Sequence, residues 1–205
     1  MQMPIMIDLT NMNVVVIGGG KIATRRVSLL LEYTSQIHVV SPHITDILEQ
    51  LVRQQQITWE EKSFEASDVN NADLVIAATN QAHVNDEIKN HISPHTLFNH
   101  VGNAQQGNIT FPNQLRRGRL TISVSTEGAS PKLGKQIIQD LSETYDKSYE
   151  NYIDFLYEAR QLIKAKVIDS SKKQQLLKDI LSKKYFNQAE QQSFISWLES
   201  MNSYR

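Results

Sequence analysis

The chain has 205 residues, of which 40% are hydrophobic and 21% are charged, and its formal net charge is −1. This length allows one or two domains with a buried core, and the ordinary charge content argues against general disorder. Cysteine is absent, which excludes disulfides, cysteine-ligated metals and a cysteine nucleophile and suits the reducing cytoplasm. No signal peptide is recognisable, and no apolar run approaches the roughly 18 residues of a membrane span. We therefore expect a cytoplasmic protein without a membrane partner.

The charge is unevenly distributed along the chain. Residues 1–112 carry 6 basic and 11 acidic side chains, a net charge of −5, whereas residues 113–205 carry 15 and 11, a net charge of +4. The positive excess lies in one short basic segment, whose members are Arg116, Arg117, Arg119, Lys132 and Lys135. About five charges without interleaved aromatic residues make nucleic acid a poor candidate partner.

The first half of the chain alternates short β-rich runs with helical patterns. The predicted strands are residues 13–17, 37–40, 57–60, 74–78 and 96–99. The predicted helices are residues 21–32, 44–54 and 83–90. Repeated β-α-β units predict a parallel sheet with right-handed crossovers, which is a Rossmann-like, doubly wound α/β domain.

The pattern changes after Pro112. Residues 120–125 alternate apolar and polar side chains, which predicts a strand with one wet face. Ser130-Pro131 predicts the start of a helix, and residues 149–197 are helical in pattern with two polar breaks. We therefore predict three parts: a Rossmann-like domain at 1–112, a small β/α segment at 113–145 and a helical C-terminal domain at 146–205.

A glycine-rich turn joins the first predicted strand to the first predicted helix. It matches G-x-G-x-x-G/A with Gly18, Gly20 and Ala23. Gly18 permits the tight turn, Gly20 lets the backbone approach a pyrophosphate, and Ala23 keeps the helix close to the strand. The free N–H groups of the helix N-terminus would bind that anion. The motif predicts dinucleotide binding, with a purely structural turn as the alternative.

Ligands of such sheets bind at the carboxyl ends of the strands. After the second strand there is neither an acidic residue for a ribose nor an arginine for a 2′-phosphate, so the residues alone leave NAD and NADP open. Ribose contacts would come from Ser41 or from the main chain of Pro42 and His43. Polar residues end two later strands and are expected to line the cofactor or merely to cap turns: Thr79, Asn80 and Asn99.

These segments resemble the precorrin-2 dehydrogenases of siroheme biosynthesis, a family that includes the N-terminal module of bifunctional siroheme synthases. The similarity runs from residue 4 to about residue 145, and its most specific part combines the glycine turn with residues 125–131. The matching segments are 4–9, 16–26, 39–42, 72–79, 99–101, 111–112, 116–120 and 122–131.

The resemblance implies an enzyme that uses NAD to oxidise precorrin-2 to sirohydrochlorin. It also implies a homodimer in which the segment after the nucleotide-binding domain is exchanged between protomers. Family cofactor contacts correspond to Lys21, Ile22, Pro42 and His43, and we add Val101 after the fifth strand. A non-catalytic nucleotide-sensing module is the alternative from another functional class.

Precorrin-2 carries eight carboxylates, which gives the basic segment a candidate ligand. Its arginines and lysines would form charge-assisted hydrogen bonds with these carboxylates, or else simply solvate a surface that faces the dimer partner. From the matched segment we add Ser125 and Thr126 as substrate-binding candidates. Thr126 corresponds to a family position that can be a phosphorylated serine.

One position departs from the family pattern. In much of the family an Asp follows the fifth-strand Asn by three residues and is assigned a role in dehydrogenation and iron insertion, but here that position is Gly102. His100 is one candidate base, because residues 100 and 102 of an extended stretch share a side and imidazole titrates near neutral pH. Alternatively water takes the proton, or iron insertion has been lost. We favour a dehydrogenase alone over a bifunctional dehydrogenase–ferrochelatase, and the histidine spacing predicts no metal site.

Overall fold

The computed structural model describes residues 2–201, and contacts divide the chain into two compact units that meet in sequence between Phe111 and Pro112. The strands are β1 (Val14–Ile17), β2 (Ile37–Val40), β3 (Thr58–Glu60), β4 (Leu74–Ala77), β5 (Leu97–His100), β6 (Asn113–Arg117) and β7 (Leu120–Val124). The helices are α1 (Lys21–Leu30), α2 (Asp46–Arg53), α3 (Ala82–His91), α4 (Pro131–Thr144), α5 (Ser148–Lys166), α6 (Ser170–Asp179) and α7 (Gln188–Ser200). Short 3-10 turns lie at Ala66–Val69 and Lys183–Phe186.

The first unit is a parallel sheet of five strands in the order β3-β2-β1-β4-β5, with α1, α2 and α3 in its crossovers. Every residue of β1 and β4 is buried, as their continuous apolar runs predict for strands covered on both faces. Successive side chains alternate between two cores, so that Val14 and Val16 pack on one face and Val15 and Ile17 on the other. The predicted doubly wound fold is confirmed. Its switch point, where the strand order reverses direction, lies between β1 and β4.

The fifth strand begins and ends one residue later than the sequence pattern predicts. Thr96 stays outside β5 and donates its hydroxyl hydrogen bond to the carbonyl of Ala72, whereas His100 is the last strand residue. Beyond His100 the chain turns back, and the N–H of Asn103 donates to Nδ1 of His100 at 2.9 Å. The chain is therefore not extended beyond β5, because this side-chain cap closes a turn. Residues 100 and 102 nevertheless stay close, since a Cβ on Gly102 would lie 3.5 Å from Cε1 of His100.

The second unit consists of an antiparallel hairpin, β6 and β7, followed by α4 to α7. The sequence pattern misses β6 because Leu115 is the only buried residue of that strand. Ser130 caps α4 by accepting from the N–H of Leu133, and Pro131 occupies the first helical turn. The remaining helices surround a core that includes Tyr152, Phe155 and other aromatic side chains, so the predicted helical C-terminal region is confirmed.

Candidate cofactor site

A cavity of about 630 Å³ opens at the carboxyl ends of β1, β2 and β4. This is the switch-point edge, where the crossovers of a doubly wound sheet diverge and leave space for a ligand. Its volume lies within the usual range for a ligand site. The lining residues form four groups along the chain: 17–22, 40–43, 63–64 and 78–84, the last without residues 82 and 83.

The three glycines of the turn differ in how much space surrounds them. Gly18 has φ +114°, and a Cβ there would lie 2.5 Å from the carbonyl oxygen of Ala78, so only glycine fits beside β4. A Cβ on Gly19 would collide with the carbonyl oxygen of His43. A Cβ on Gly20 would meet no atom within 4 Å. The space beside Gly20 is therefore open to a ligand, whereas Gly18 and Gly19 serve the fold itself.

Two helices begin at this cavity without a side-chain cap. Gly20 is the N-cap of α1 and Gln81 is the N-cap of α3. Gly20 has no side chain, and the side chain of Gln81 accepts no hydrogen bond from the helix N–H groups. The first N–H groups of a helix have no partner within the helix, and the helix dipole places about half a positive charge there. Lys21 adds a full charge to the same wall. This arrangement fits the pyrophosphate of a dinucleotide.

Nine of the predicted cofactor residues line the cavity. They are Gly18, Gly20, Lys21, Ile22, Ser41, Pro42, His43, Thr79 and Asn80. Ser41 is buried and donates its hydroxyl hydrogen bond to the carbonyl of His43 at 2.7 Å, so it shapes the loop after β2. Thr79 is held in the same way, because its hydroxyl donates to Oδ1 of Asn85 at 2.8 Å.

The other three predicted cofactor residues, Ala23, Asn99 and Val101, do not line this cavity. Ala23 is fully buried where α1 packs on the sheet. Asn99 is also buried, and its Nδ2 donates to the carbonyl of Ile109 at 3.2 Å. Its Oδ1 accepts no hydrogen bond within the described part of the chain, and Val101 packs against the core on the same face of the sheet.

His100 is also absent from the cavity lining and is only 4% exposed. Nδ1 accepts the hydrogen bond from Asn103, so the ring carries its proton on Nε2, which lies 3.2 Å from Oδ1 of Asp86. Both ring nitrogens are therefore occupied. This geometry does not support the predicted role as a proton acceptor, since the neutral ring has no free lone pair.

Sequence reasoning missed one wall of the cavity, formed by Ser63 and Phe64 in the loop after β3. This loop is held by Lys62, whose Nζ lies 2.7 Å from Asp68, 3.1 Å from Glu65 and 3.4 Å from Glu60. The hydrogen bond to Asp68, followed by that to Glu65, raises the pKa of Lys62. The only signal in the sequence is the charged stretch at residues 60–62, and such a stretch is usually a solvated face.

The residues of the basic segment lie apart from one another in the folded second unit. Arg117 donates to the carbonyl of Tyr145, at the C-cap of α4, at 3.0 Å. Lys132 lies in the first turn of that helix, about 20 Å away at 1.5 Å per residue. Arg119 reaches α5, where its Nε lies 3.4 Å from Asp154 and its guanidinium covers the ring of Tyr157.

Two groups of predicted substrate residues result, one at each end of the hairpin. Arg116, Arg117 and Arg119 lie around the turn between β6 and β7. Ser125 and Thr126 follow β7 beside the start of α4, which carries Lys132 and Lys135. In the loop after β7, the hydroxyl of Ser125 accepts from the N–H of Glu127, and that of Thr126 accepts from the N–H of Ser130.

Residues 2–201 contain no group of three histidine or carboxylate side chains placed to hold a metal ion. Within the same residues no helix combines the length and the apolar character that a bilayer crossing requires.

A Rossmann-type sheet with a glycine turn and two uncapped helix ends around its switch-point cavity defines the class of dinucleotide-binding proteins. Three known protein families match consecutive parts of the chain and agree with this class. Residues 5–113 match an NAD(P)-binding family, residues 117–141 match the family described as Sirohaem biosynthesis protein central, and residues 149–194 match the SirC C-terminal domain.

Individual relatives define the family more closely. The chain is 38% identical over 196 residues to a precorrin-2 dehydrogenase of Priestia megaterium, covering 95% of this chain and 97% of that protein. A precorrin-2 dehydrogenase of Bacillus subtilis is 37% identical over 78% of this chain and 99% of its own length. The solved structure named "SirC, precorrin-2 dehydrogenase" superposes with a TM-score of 0.85 at 37% identity, covering 97% of this chain and 99% of that one. The chain belongs to the precorrin-2 dehydrogenase family.

Longer proteins also contain a region similar to this chain. Siroheme synthase 1 of Serratia proteamaculans is 35% identical over 68% of this chain, but the match covers only 29% of that protein. The similarity to siroheme synthases that the sequence indicates is therefore confirmed for one part of those larger enzymes.

Proposed function

We propose that this protein oxidises precorrin-2 to sirohydrochlorin and uses NAD as the hydride acceptor. The observation that carries the proposal is the dinucleotide cavity at the switch point, in a chain that aligns over nearly its whole length with precorrin-2 dehydrogenases. A nucleotide-sensing module would need the cavity alone. The match of the remaining units to siroheme-biosynthesis families favours the enzyme.

Bound NAD would accept a hydride from the substrate, and the protein's contribution is to place the two molecules. The N–H groups at the start of α1 and the ammonium of Lys21 would hold the pyrophosphate. The loop at Pro42 and His43 would hold the adenosine ribose through main-chain groups, and Phe64 lines the same cavity. We propose that water takes the proton, because Nδ1 of His100 is engaged by the N–H of Asn103 and Nε2 by the carboxylate of Asp86.

The preference for NAD over NADP is taken from the family resemblance, and the lining of the cavity is compatible with it. A 2′-phosphate is normally met by an arginine near the end of β2, and none of the lining residues of the cavity is an arginine. Calorimetric titration with each cofactor tests this choice. We expect binding of NAD at least about tenfold tighter than that of NADP, since each lost charged hydrogen bond costs about 1.5–3 kcal/mol. Equal affinities would refute it.

The proposed reaction is tested by incubating the purified protein with precorrin-2 and NAD, with and without ferrous iron, and recording absorption spectra. We expect sirohydrochlorin in both samples and no iron-dependent siroheme, because Gly102 has no group that can bind a metal or take a proton. Without sirohydrochlorin the dehydrogenase assignment fails. Iron-dependent siroheme would establish the bifunctional alternative.

We also propose that the protein is a cytoplasmic homodimer. The β6–β7 hairpin forms a sheet of two strands, and its outer edges pair with no other strand within residues 2–201. Unpaired edges attract further strands, and a hairpin alone is marginally stable. Light scattering coupled to size-exclusion chromatography should give a mass of two chains. A mass equal to the single 23.4 kDa chain would contradict the dimer.

A further inference from the structure

Arg26 is a partly buried cation that has no anionic partner among residues 2–201. It lies on the second turn of α1, and its guanidinium carbon sits 4.6 Å from the centre of the Phe111 ring. Within residues 2–201 this guanidinium donates no hydrogen bond and forms no ion pair. Its neighbour Arg25 is exposed to solvent, so the two arginines of the same helix differ in environment.

A partly buried charge without a partner is unfavourable. Burial lowers the pKa of Arg26, because the charged form loses hydration that no carboxylate or carbonyl restores. The face of Phe111 compensates in part through a cation–π contact. The five N–H donors of the guanidinium find no acceptor in the described part of the chain, and their planar fork matches the two oxygens of a carboxylate.

The platform under Arg26 is held firmly by the fold. Phe111 packs against the core of the first unit. The segment that carries it is pinned to β5, since the N–H of Ile109 donates to the carbonyl of Phe98 and the Asn99 amide donates to the carbonyl of Ile109. A site whose base is fixed in this way loses little conformational entropy when a ligand binds.

Arg26 is distinct from the pyrophosphate site. It follows Lys21 by five residues, which is about 7.5 Å along the helix axis, and it is not among the residues that line the cofactor cavity. The N–H groups that serve a phosphate belong to the first turn of α1. An anion at Arg26 would therefore be a separate ligand group from the pyrophosphate.

We propose that Arg26 is a carboxylate-binding residue that holds one acidic arm of the substrate against the Phe111 platform. This inference rests on the proposed function, because precorrin-2 supplies the carboxylates. It adds a substrate contact in the nucleotide-binding unit itself, outside the basic segment. A second source of the same chemistry, a phosphate of the cofactor, is distinguished by measuring the two ligands separately.

The test compares Arg26→Gln and Arg26→Lys with the matched control Arg25→Gln. For each protein, KM and kcat for precorrin-2 and the Kd for NAD are measured. Quenching of tryptophan fluorescence by uroporphyrin, an octacarboxylate that the enzyme need not oxidise, gives a binding readout independent of turnover. Thermal unfolding reports whether each variant is folded, and Arg26→Lys keeps the charge if Arg26→Gln fails to fold.

We expect Arg26→Gln to raise KM and the Kd for uroporphyrin about 10- to 100-fold, the loss of a charged hydrogen-bonded pair, while the Kd for NAD changes less than about twofold. Arg26→Lys should lie between Arg26→Gln and the wild type, because an ammonium lacks the planar fork. Arg25→Gln should match the wild type.

Three results would overturn the carboxylate site. They are equal KM values for Arg26→Gln and Arg25→Gln, a rise in the Kd for NAD instead of KM, and a lower melting temperature with unchanged KM. A wild-type protein that fails to oxidise precorrin-2 but binds uroporphyrin through Arg26 would refute the proposed function and leave this site standing.

Discussion

The two units of the molecule arrange their candidate ligand-binding residues in opposite ways. In the first unit, four separate stretches between Ile17 and Val84 converge on one cavity. In the second unit, five basic residues within 20 positions of sequence are divided between the two ends of a hairpin. Parallel strands direct all their carboxyl ends to one edge, whereas an antiparallel hairpin and the helix packed along it separate neighbouring residues. Closeness in sequence is therefore a poor guide to a shared site.

The largest expected effect is on NAD binding and follows from a substitution in the glycine turn at the cavity. Gly20→Asp should leave the fold intact, because a Cβ there meets nothing within 4 Å, but should place a carboxylate beside the pyrophosphate. We expect the Kd for NAD to rise at least about 100-fold, about 2.7 kcal/mol, in calorimetric titration.

Two further glycine variants serve as references for this result. Gly18→Ala should instead lower the free energy of unfolding by about 3 kcal/mol, because φ is positive and Ala78 blocks the Cβ. Gly102→Ala should change neither quantity, since its Cβ would make ordinary contacts. Unchanged NAD binding in Gly20→Asp would remove the glycine turn from the cofactor site.

The division of the basic segment predicts a smaller effect that differs between its two ends. Lys132→Ala combined with Lys135→Ala should raise KM for precorrin-2 about tenfold, because both side chains are exposed and so accessible to a carboxylate ligand. Arg117→Ala should leave KM unchanged and lower the free energy of unfolding by about 1–2 kcal/mol, since its guanidinium donates to two main-chain carbonyls.

The control for the lysine pair is Lys172→Ala combined with Lys173→Ala, which removes the same charge from α6. Equal KM values for the two double variants would show that the effect is one of net charge alone. A raised KM in Arg117→Ala would show that the hairpin arginines and the lysines of α4 act as one site after all.

A further prediction concerns the cavity wall formed by Ser63 and Phe64, which no sequence motif indicates. Lys62→Met should release the loop of Ser63 and Phe64 and raise the Kd for NAD about three- to fivefold, since Lys62 bridges three carboxylates that hold this loop. Because the pKa of Lys62 is raised, its charge persists as the pH increases, and the effect should be equal at pH 6 and pH 9. Arg53→Met, which breaks a single exposed pair with Glu49, is the matched control.

The smallest catalytic effect is expected at His100. His100→Asn should change kcat less than about threefold and leave the pH dependence of turnover unaltered, because both ring nitrogens are engaged by Asn103 and Asp86. It should lower the melting temperature, since the N–H of Asn103 loses its acceptor at a cost of about 1–3 kcal/mol. Loss of one limb of the pH–rate profile would restore His100 as a base.

The sequence predicts the nucleotide-binding unit well because its information is local. Buried apolar runs place β1 and β2 to within one residue, and the glycine turn marks the start of α1. The pattern fails where a strand lacks such a run, as in β6 with Leu115 alone. It also fails at Ser63 and Phe64, because no motif accompanies a loop that reaches the cavity only through sheet order.

By itself the sequence determined the doubly wound class, the glycine turn and the family resemblance. These features depend on backbone preference and on the pattern of buried residues, which short stretches of sequence already contain. The tertiary structure alone decided which residues meet. Strand order brought Phe64 to the cavity, the turn at Asn103 engaged His100, and the length of α4 separated Arg117 from Lys132. The same packing placed Arg26 on Phe111, 85 positions later in the chain. Such contacts depend on elements distant in sequence, and no short window contains them.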